Sequence, residues 1–364
     1  MSDQSLSRRF FLSAAAAVPA VPTLIASDRI AIFEPPPDRV HIVTISQSYA
    51  APAVQYTPEE IKQITSQGKN VQMTLTTSAE ELTRMLPDAD VVFGAITPPM
   101  LKIAKNLRWM QHTEAGMENG ILYPELIDSP IVVTNMARMF APAISETAVA
   151  MLLALTRGLN KYFIPQFEKK QFNPVRNGLV EIEGGTVGLV GFGGLGEETA
   201  KRFHHGFNMR VMATDAKPLT KPEWVDELHE PSWYREMAPK VDILVNAAPA
   251  IPETVKMFDE KVFRSMKKSA YFISISRGPN VDQVALARAL REGWIAGACL
   301  DVTVPEPLPP TSELWDCPNL VMTCHTAGFA PQRRIRQMGL MAENVRRYTS
   351  GLPLFNVVDK KRGY

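Results

Sequence analysis

Short apolar runs, four to six residues long, recur along the chain after residue 39, and helical-period stretches separate them. In the first third these runs are Val40–Ile45, Val71–Thr76, Val91–Ala95, Leu107–His112 and Ile131–Thr134, with helices expected at Pro58–Gln67 and Ala79–Leu86 between them. Such alternation predicts parallel strands joined by crossover helices. A long apolar helix is expected over Pro142–Leu159, opened by Pro142 and ended near Gly158. A second set of strands follows: Val187–Val190, Met209–Thr214, Val241–Asn246, Ala270–Ile275, Ile295–Leu300 and Leu320–Thr323, with a helix at Asp282–Glu292. About six strands is the size of a doubly wound sheet. The tail, Pro331 to Tyr348, reads as a basic amphipathic helix whose arginines form a solvated face.

The second set opens on TVGLVGFGGLG, Thr186 to Gly196. A strand meets Gly191, Gly193 and Gly196 in the spacing G-x-G-x-x-G, and a helical stretch follows. The first glycine permits a tight turn, the second lets backbone approach a pyrophosphate, and the third lets helix and strand pack closely. The helix N-terminus then offers free N–H groups to phosphate oxygens. The next strand ends at Asp215, 19 residues after Gly196 (215 − 196). A carboxylate there accepts hydrogen bonds from ribose hydroxyls and repels a 2′-phosphate, which favours NAD over NADP. The first set of strands carries no such turn.

The whole chain has 364 residues, 45% hydrophobic and 21% charged, with a formal net charge of +1. That length suits about two domains, and the balance leaves no nucleic-acid footprint. No proline-free apolar run is long enough for a stable membrane span. Cys299, Cys317 and Cys324 make no disulfide framework and read as small, partly buried hydrophobes. No metal site is expected. The N-terminus is a separate segment. Ser7-Arg8-Arg9-Phe10-Phe11-Leu12 resembles the twin-arginine export signal of bacteria, with Ser13 where a lysine is usual, and an uncharged run to Ala26 follows. Residues 1–27 are therefore set apart as a signal, 28–38 as a proline-rich linker, and a periplasmic location is expected, or a cytoplasmic one if the signal reading is wrong.

Three residues at or just past strand ends carry candidate chemistry. Arg277 follows YFISIS, Glu306 lies in VPEPLPP, and His325 follows LVMTC. Ligands of open α/β sheets bind beyond the carboxyl ends of strands, so all three can face one crevice. Each has a plain alternative: a surface arginine, a solvated glutamate, a satisfied histidine. Their joint placement is what gives them weight. In the first set, HTEAGMENG offers the small pair Ala115-Gly116; on the residues alone an ordinary turn is the preferred reading.

From Thr186 to Gly328 the chain resembles the D-isomer-specific 2-hydroxyacid dehydrogenase family, through TVGLVGFGGLG, AAPAIPETVKMF, SISRGPNVDQVALARALREGWIAGACLDVTVPEP and LWDCPNLVMTCHTAG. Weaker similarity covers residues 39–160, including EAGMENG. The resemblance implies an α/β fold of two lobes: a Rossmann-type doubly wound parallel sheet domain, residues 141–328, inserted in a smaller flavodoxin-like α/β substrate domain, residues 39–140, to which 329–364 return. It implies Arg277 as substrate-binding arginine, His325 as acid/base and Glu306 as its carboxylate partner. Ala115, Gly116 and Arg277 would hold the substrate carboxylate. Gly191, Gly193, Gly194, Leu195, Gly196, Asp215, Ala248, Pro249, Ser276, Arg277, Asp301 and His325 would line the NAD site. The partner implied is a small D-2-hydroxy or 2-oxo acid, and a homodimer is expected. Four positions depart from the family pattern: Cys324 for proline, Glu118 for aspartate, Ala247 for a frequent histidine, and Gly194 for a larger, often basic residue. These touch substrate preference and cofactor affinity more than reaction type. Two other readings stay open: a non-catalytic NAD-binding protein of the same fold, and an exported oxidoreductase whose permanently bound NAD cycles between two substrates.

Overall fold

Five strands, β1 (Val40–Ile45), β2 (Val71–Thr76), β3 (Val91–Phe93), β4 (Trp109–Gln111) and β5 (Val132–Thr134), pair in the order β2-β1-β3-β4-β5. This computed structural model describes residues 39–45, 56–118 and 120–364. The signal and linker readings therefore lie outside the described residues. All four pairings are parallel, with Val40 opposite Val71 and Ile42 opposite Val91. Helices cover both faces, which is why strands such as VVF are apolar throughout and fully buried. One face packs Val40, Ile42, Phe93 and Trp109, the other Val43, Val92, Met110 and Val133. Helix starts are signalled locally: Thr57 and Glu60 form a reciprocal capping box at Pro58–Thr65, and Ser78 accepts from Glu81 N at Ala79–Met85.

The helix Ala141–Thr156 carries the chain to a second sheet and ends where Gly158 takes a left-handed φ of +65°. Seven strands follow: β6 (Thr186–Val190), β7 (Arg210–Thr214), β8 (Glu227–His229), β9 (Ile243–Asn246), β10 (Tyr271–Ser274), β11 (Gly297–Leu300) and β12 (Leu320–Met322). Their order is β12-β11-β10-β9-β6-β7-β8, again all parallel. Succession reverses at β6, with β7 on one side and β9 on the other. That reversal opens the ligand crevice at the fingerprint turn. Ala148, Met151 and Leu152 pack on one face with Val187, Leu189 and Ile273. Phe258, Phe263, Phe272 and Leu286 fill the other.

The last helix, Pro331–Thr349, returns to the first sheet, where Met338, Met341, Val345 and Tyr348 join the core around Trp109. Val357 then bridges Thr134 in antiparallel sense. The two-sheet α/β architecture is the one expected from the alternation. Three details differ. β8 is a seventh strand; its sequence ELH sits at the sheet edge with no apolar run to announce it. The arginines of the last helix are not simply solvated, since Arg334 grips Glu60 at 2.6 and 2.7 Å and Arg333 pairs with Glu114 at 3.1 Å. Of the cysteines, Cys299 is buried, Cys317 intermediate and Cys324 exposed.

Candidate active site

The fingerprint turn is built as the dinucleotide reading requires. Gly191 has φ +92°, and a Cβ on Gly196 would stand 1.9 Å from Gly191 O, so strand and helix meet only because both are glycine. The helix Gly194–Phe207 starts on Gly193 with no side-chain cap, and nothing lies within 4 Å of a Cβ placed on Gly193. The first N–H groups of the helix are thus left without a side-chain partner, and backbone can approach Gly193, which fits a pyrophosphate. At the end of β7, Asp215 Oδ2 accepts from Phe192 N and Oδ1 from Lys217 N, both at 2.8 Å. Its carboxylate is fixed beside the turn, as a ribose contact needs.

The loops after β9 and β10 are tied together. Ser276 Oγ donates to Ala248 O at 2.6 Å, and Asn280 Nδ2 donates to Ala248 O at 2.9 Å and Pro249 O at 3.2 Å. Asn246 Oδ1 accepts from Ala248 N at 3.2 Å. Ala248 and Pro249 are therefore held at the crevice by Asn246, Ser276 and Asn280; neither asparagine was among the expected site residues.

β10, β11 and β12 are neighbours, so the loops carrying Arg277, Glu306 and His325 emerge side by side. His325 Nδ1 lies 2.7 Å from Glu306 Oε2, while Glu306 Oε1 accepts from Thr303 N at 2.9 Å. One carboxylate oxygen anchors its own loop and the other fixes the imidazole. His325 adopts φ +56°, a conformation uncommon for a side-chain-bearing residue. Buried Asp301 supports that turn: its carboxylate accepts from Thr323 Oγ1 at 2.6 Å, Thr326 N at 3.1 Å and Ala327 N at 3.2 Å, and its carbonyl takes His325 N at 2.7 Å. Asp301 thus shapes the histidine turn.

From the other lobe, the loop after β4 closes on Arg277. Arg277 Nε donates to Glu118 Oε1 at 2.8 Å and Nη1 to Ser276 O at 2.7 Å. A Cβ on Gly116 would fall 2.2 Å from Arg277 Nη2, so Gly116 and the guanidinium are in contact distance. Ala115 lies behind, its carbonyl accepting from Asn135 Nδ2 at 2.7 Å. Glu114, on the same loop, pairs with Arg333 of the last helix at 3.1 Å. Its side chain keeps 55% of its surface in solvent, yet its surroundings push its carboxyl above the ordinary value, burial being the main cause. His112, behind the loop, is buried, and burial pushes its imidazole down. The structure thus brings Arg277, Gly116, Glu306 and His325 to one cleft. It adds Glu118 and Glu114, which the sequence reading passed over or noted only as a departure. Among the described residues no cluster of three or more His, Cys, Asp or Glu side chains could hold a metal ion, and no helix is long and apolar enough to cross a membrane.

Residues 149–327 match the family model described as the D-isomer specific 2-hydroxyacid dehydrogenase, NAD binding domain. A glyoxylate reductase of Thermofilum pendens is 34% identical over 275 residues, covering 74% of this chain and 80% of that protein. The chain belongs to the D-isomer-specific 2-hydroxyacid dehydrogenase family. A glyoxylate reductase of Pyrococcus furiosus is 32% identical over 284 residues, 75% of this chain and 83% of that one. Among solved structures, a family protein of Aeromonas salmonicida superposes with a TM-score of 0.71 at 23% identity, over 88% of this chain and 99% of that one. An NADPH-dependent glyoxylate/hydroxypyruvate reductase of Sinorhizobium meliloti gives 0.70 at 24%, over 90% and 100%. These two likenesses show the fold. The dehydrogenase is thus an NAD(P)-dependent oxidoreductase of 2-hydroxy acids, similar to glyoxylate reductases.

Proposed function

We propose that this dehydrogenase uses NAD(H) to interconvert a small 2-oxo acid, of the glyoxylate or hydroxypyruvate type, and its D-2-hydroxy acid, with His325 as acid/base. The observation that carries the reading is the 2.7 Å His325–Glu306 pair, on loops that leave the carboxyl ends of β11 and β12, with β10, whose loop carries Arg277, next in the sheet. The bound nicotinamide supplies hydride-transfer chemistry at the substrate's C2. The fingerprint N–H groups hold the dinucleotide's pyrophosphate and Asp215 its ribose. Arg277 and the backbone of Ala115-Gly116 grip the substrate carboxylate; the planar guanidinium fixes its orientation. His325 Nε2 gives a proton to the C2 oxygen in reduction and takes it back in oxidation. Glu306 holds the imidazole through Nδ1 and so fixes the direction in which Nε2 points. Closure of the lobes excludes water from the reacting centre. The carboxylate at Asp215 supports NAD over NADP. The test is turnover: purified protein should oxidise NADH with glyoxylate, hydroxypyruvate or a larger 2-oxo acid, and inactivity with all of them removes the reading.

Assembly and location belong to the same proposal. Leu159, Phe163, Ile164, Phe167 and Phe172 are exposed on the segment after Ala141–Thr156, Phe172 completely. Such a patch supports burial against a second copy. Phe167→Glu with Phe172→Glu should then leave a monomer in sedimentation; an unchanged dimer, or a monomeric wild type, contradicts it. The Arg8-Arg9 head supports export. Lysine at both positions should retain the protein in the cytoplasm, and unaltered fractionation would refute the signal.

A further inference from the structure

The fingerprint lacks a side chain where the family resemblance leads one to expect a large and often basic residue, at Gly194. That space is not empty. A Cβ on Gly194 would meet Arg138 Cγ at 2.2 Å, Arg138 Cβ at 3.1 Å and Arg138 Cα at 3.2 Å. The stem of Arg138 therefore runs where a side chain of residue 194 would begin. Arg138 comes from the stretch that crosses between the lobes, just before the helix Ala141–Thr156. It holds φ +73°, a left-handed conformation uncommon for a residue other than glycine.

Its charge is placed accordingly. Arg138 Nη1 lies 3.0 Å from Glu197 Oε2, in the first turn of the fingerprint helix. Glu197 already has a second cation, since its Oε1 is 2.8 Å from Lys201 Nζ one turn on. Two cations share one carboxylate, leaving a net positive charge at a helix start whose N–H groups no side chain caps. The Arg138 side chain is 41% exposed, so the guanidinium can reach an arriving ligand.

We propose that Arg138 is the cation that binds the cofactor's pyrophosphate, supplied from the interlobe crossing in place of the side chain missing at Gly194. This rests on the dinucleotide reading of the turn. It adds that a side chain from the interlobe crossing contributes charge to the cofactor site, so cofactor binding and the crossing are coupled.

The test is a binding titration that needs no turnover. NADH, ADP and adenosine are titrated against wild type, Arg138→Gly, and Arg138→Gly combined with Gly194→Arg. Glycine relieves the left-handed backbone, so the variant should fold at least as well, which its melting temperature checks. Arg138→Gly should weaken NADH and ADP by about tenfold or more, the worth of a charge-assisted hydrogen bond, and leave adenosine unchanged. The double variant, with an arginine restored on residue 194, should recover most of that loss. NADH and ADP affinities equal to wild type in Arg138→Gly would overturn the proposal while leaving the dinucleotide site intact. An equal loss for adenosine would overturn it too, because it would mark Arg138 as merely structural. A wild type that binds neither NADH nor ADP would overturn the underlying dinucleotide reading and Arg138's role with it.

Discussion

Glu118 of the first lobe holds Arg277 of the second, with Glu118 Oε1 2.8 Å from Arg277 Nε. The two residues are 159 positions apart and meet only because both lobes converge on the cleft. An anionic substrate that binds Arg277 must share the guanidinium with this carboxylate or displace it.

Glu118→Gln removes the competing charge and keeps the shape. The pair is about one-third exposed, so its worth is on the order of 1 kcal/mol, and KM for a 2-oxo acid should fall roughly fivefold with kcat little changed. A KM that rises would contradict this and make Glu118 an orienting partner of Arg277.

Asp215 should set the choice of cofactor. Asp215→Asn keeps an oxygen for Phe192 N but removes the charge that opposes a 2′-phosphate. The ratio of NADPH to NADH affinity should rise by about tenfold or more, measured by fluorescence titration, since a lost like-charge repulsion of this kind is worth at least 1.4 kcal/mol. An unchanged ratio would place cofactor choice elsewhere.

Acid should loosen the last helix from the first lobe. The Glu60 carboxyl is held below its ordinary value of 4.5, chiefly by its hydrogen bond from Arg334. A depressed carboxyl stabilises the fold fully above its unfolded value, and the gain is lost as pH falls through the folded one. The melting temperature of wild type should exceed that of Glu60→Gln at neutral pH, by a margin worth about 1 kcal/mol, and the two should converge below pH 4.5. Glutamine still offers an oxygen to the capping box at Thr57, so the comparison isolates the charge. A gap independent of pH would refute the pairing as its source.

What could be read from the sequence was local. The strand, the glycine spacing and Asp215 lie within thirty residues, and each has a conformational signature in its own residue types. The positions of Arg277, Glu306 and His325 followed from strand ends, because neighbouring parallel strands deliver their loops to one edge. What escaped was contact between distant segments. Nothing near Glu118 marks it as Arg277's partner, and nothing near Arg138 points to Gly194. The basic face of the last helix has the spacing of a solvated surface, yet Arg334 finds Glu60 274 positions away. Strand β8 escaped for the opposite reason: three mixed residues at a sheet edge bury too little to show a pattern. Nor does the sequence around Asp301 announce that its carboxylate, accepting from residues more than twenty positions on, holds the His325 turn.

The most direct measurement is the single-turnover and steady-state rate of His325→Gln with NADH and glyoxylate, alongside its NADH affinity. Acid/base assistance of this kind is worth about 10² to 10⁴ in rate, so kcat should fall by that factor while NADH affinity stays within about twofold. Turnover equal to wild type in a variant that still binds NADH would contradict the account.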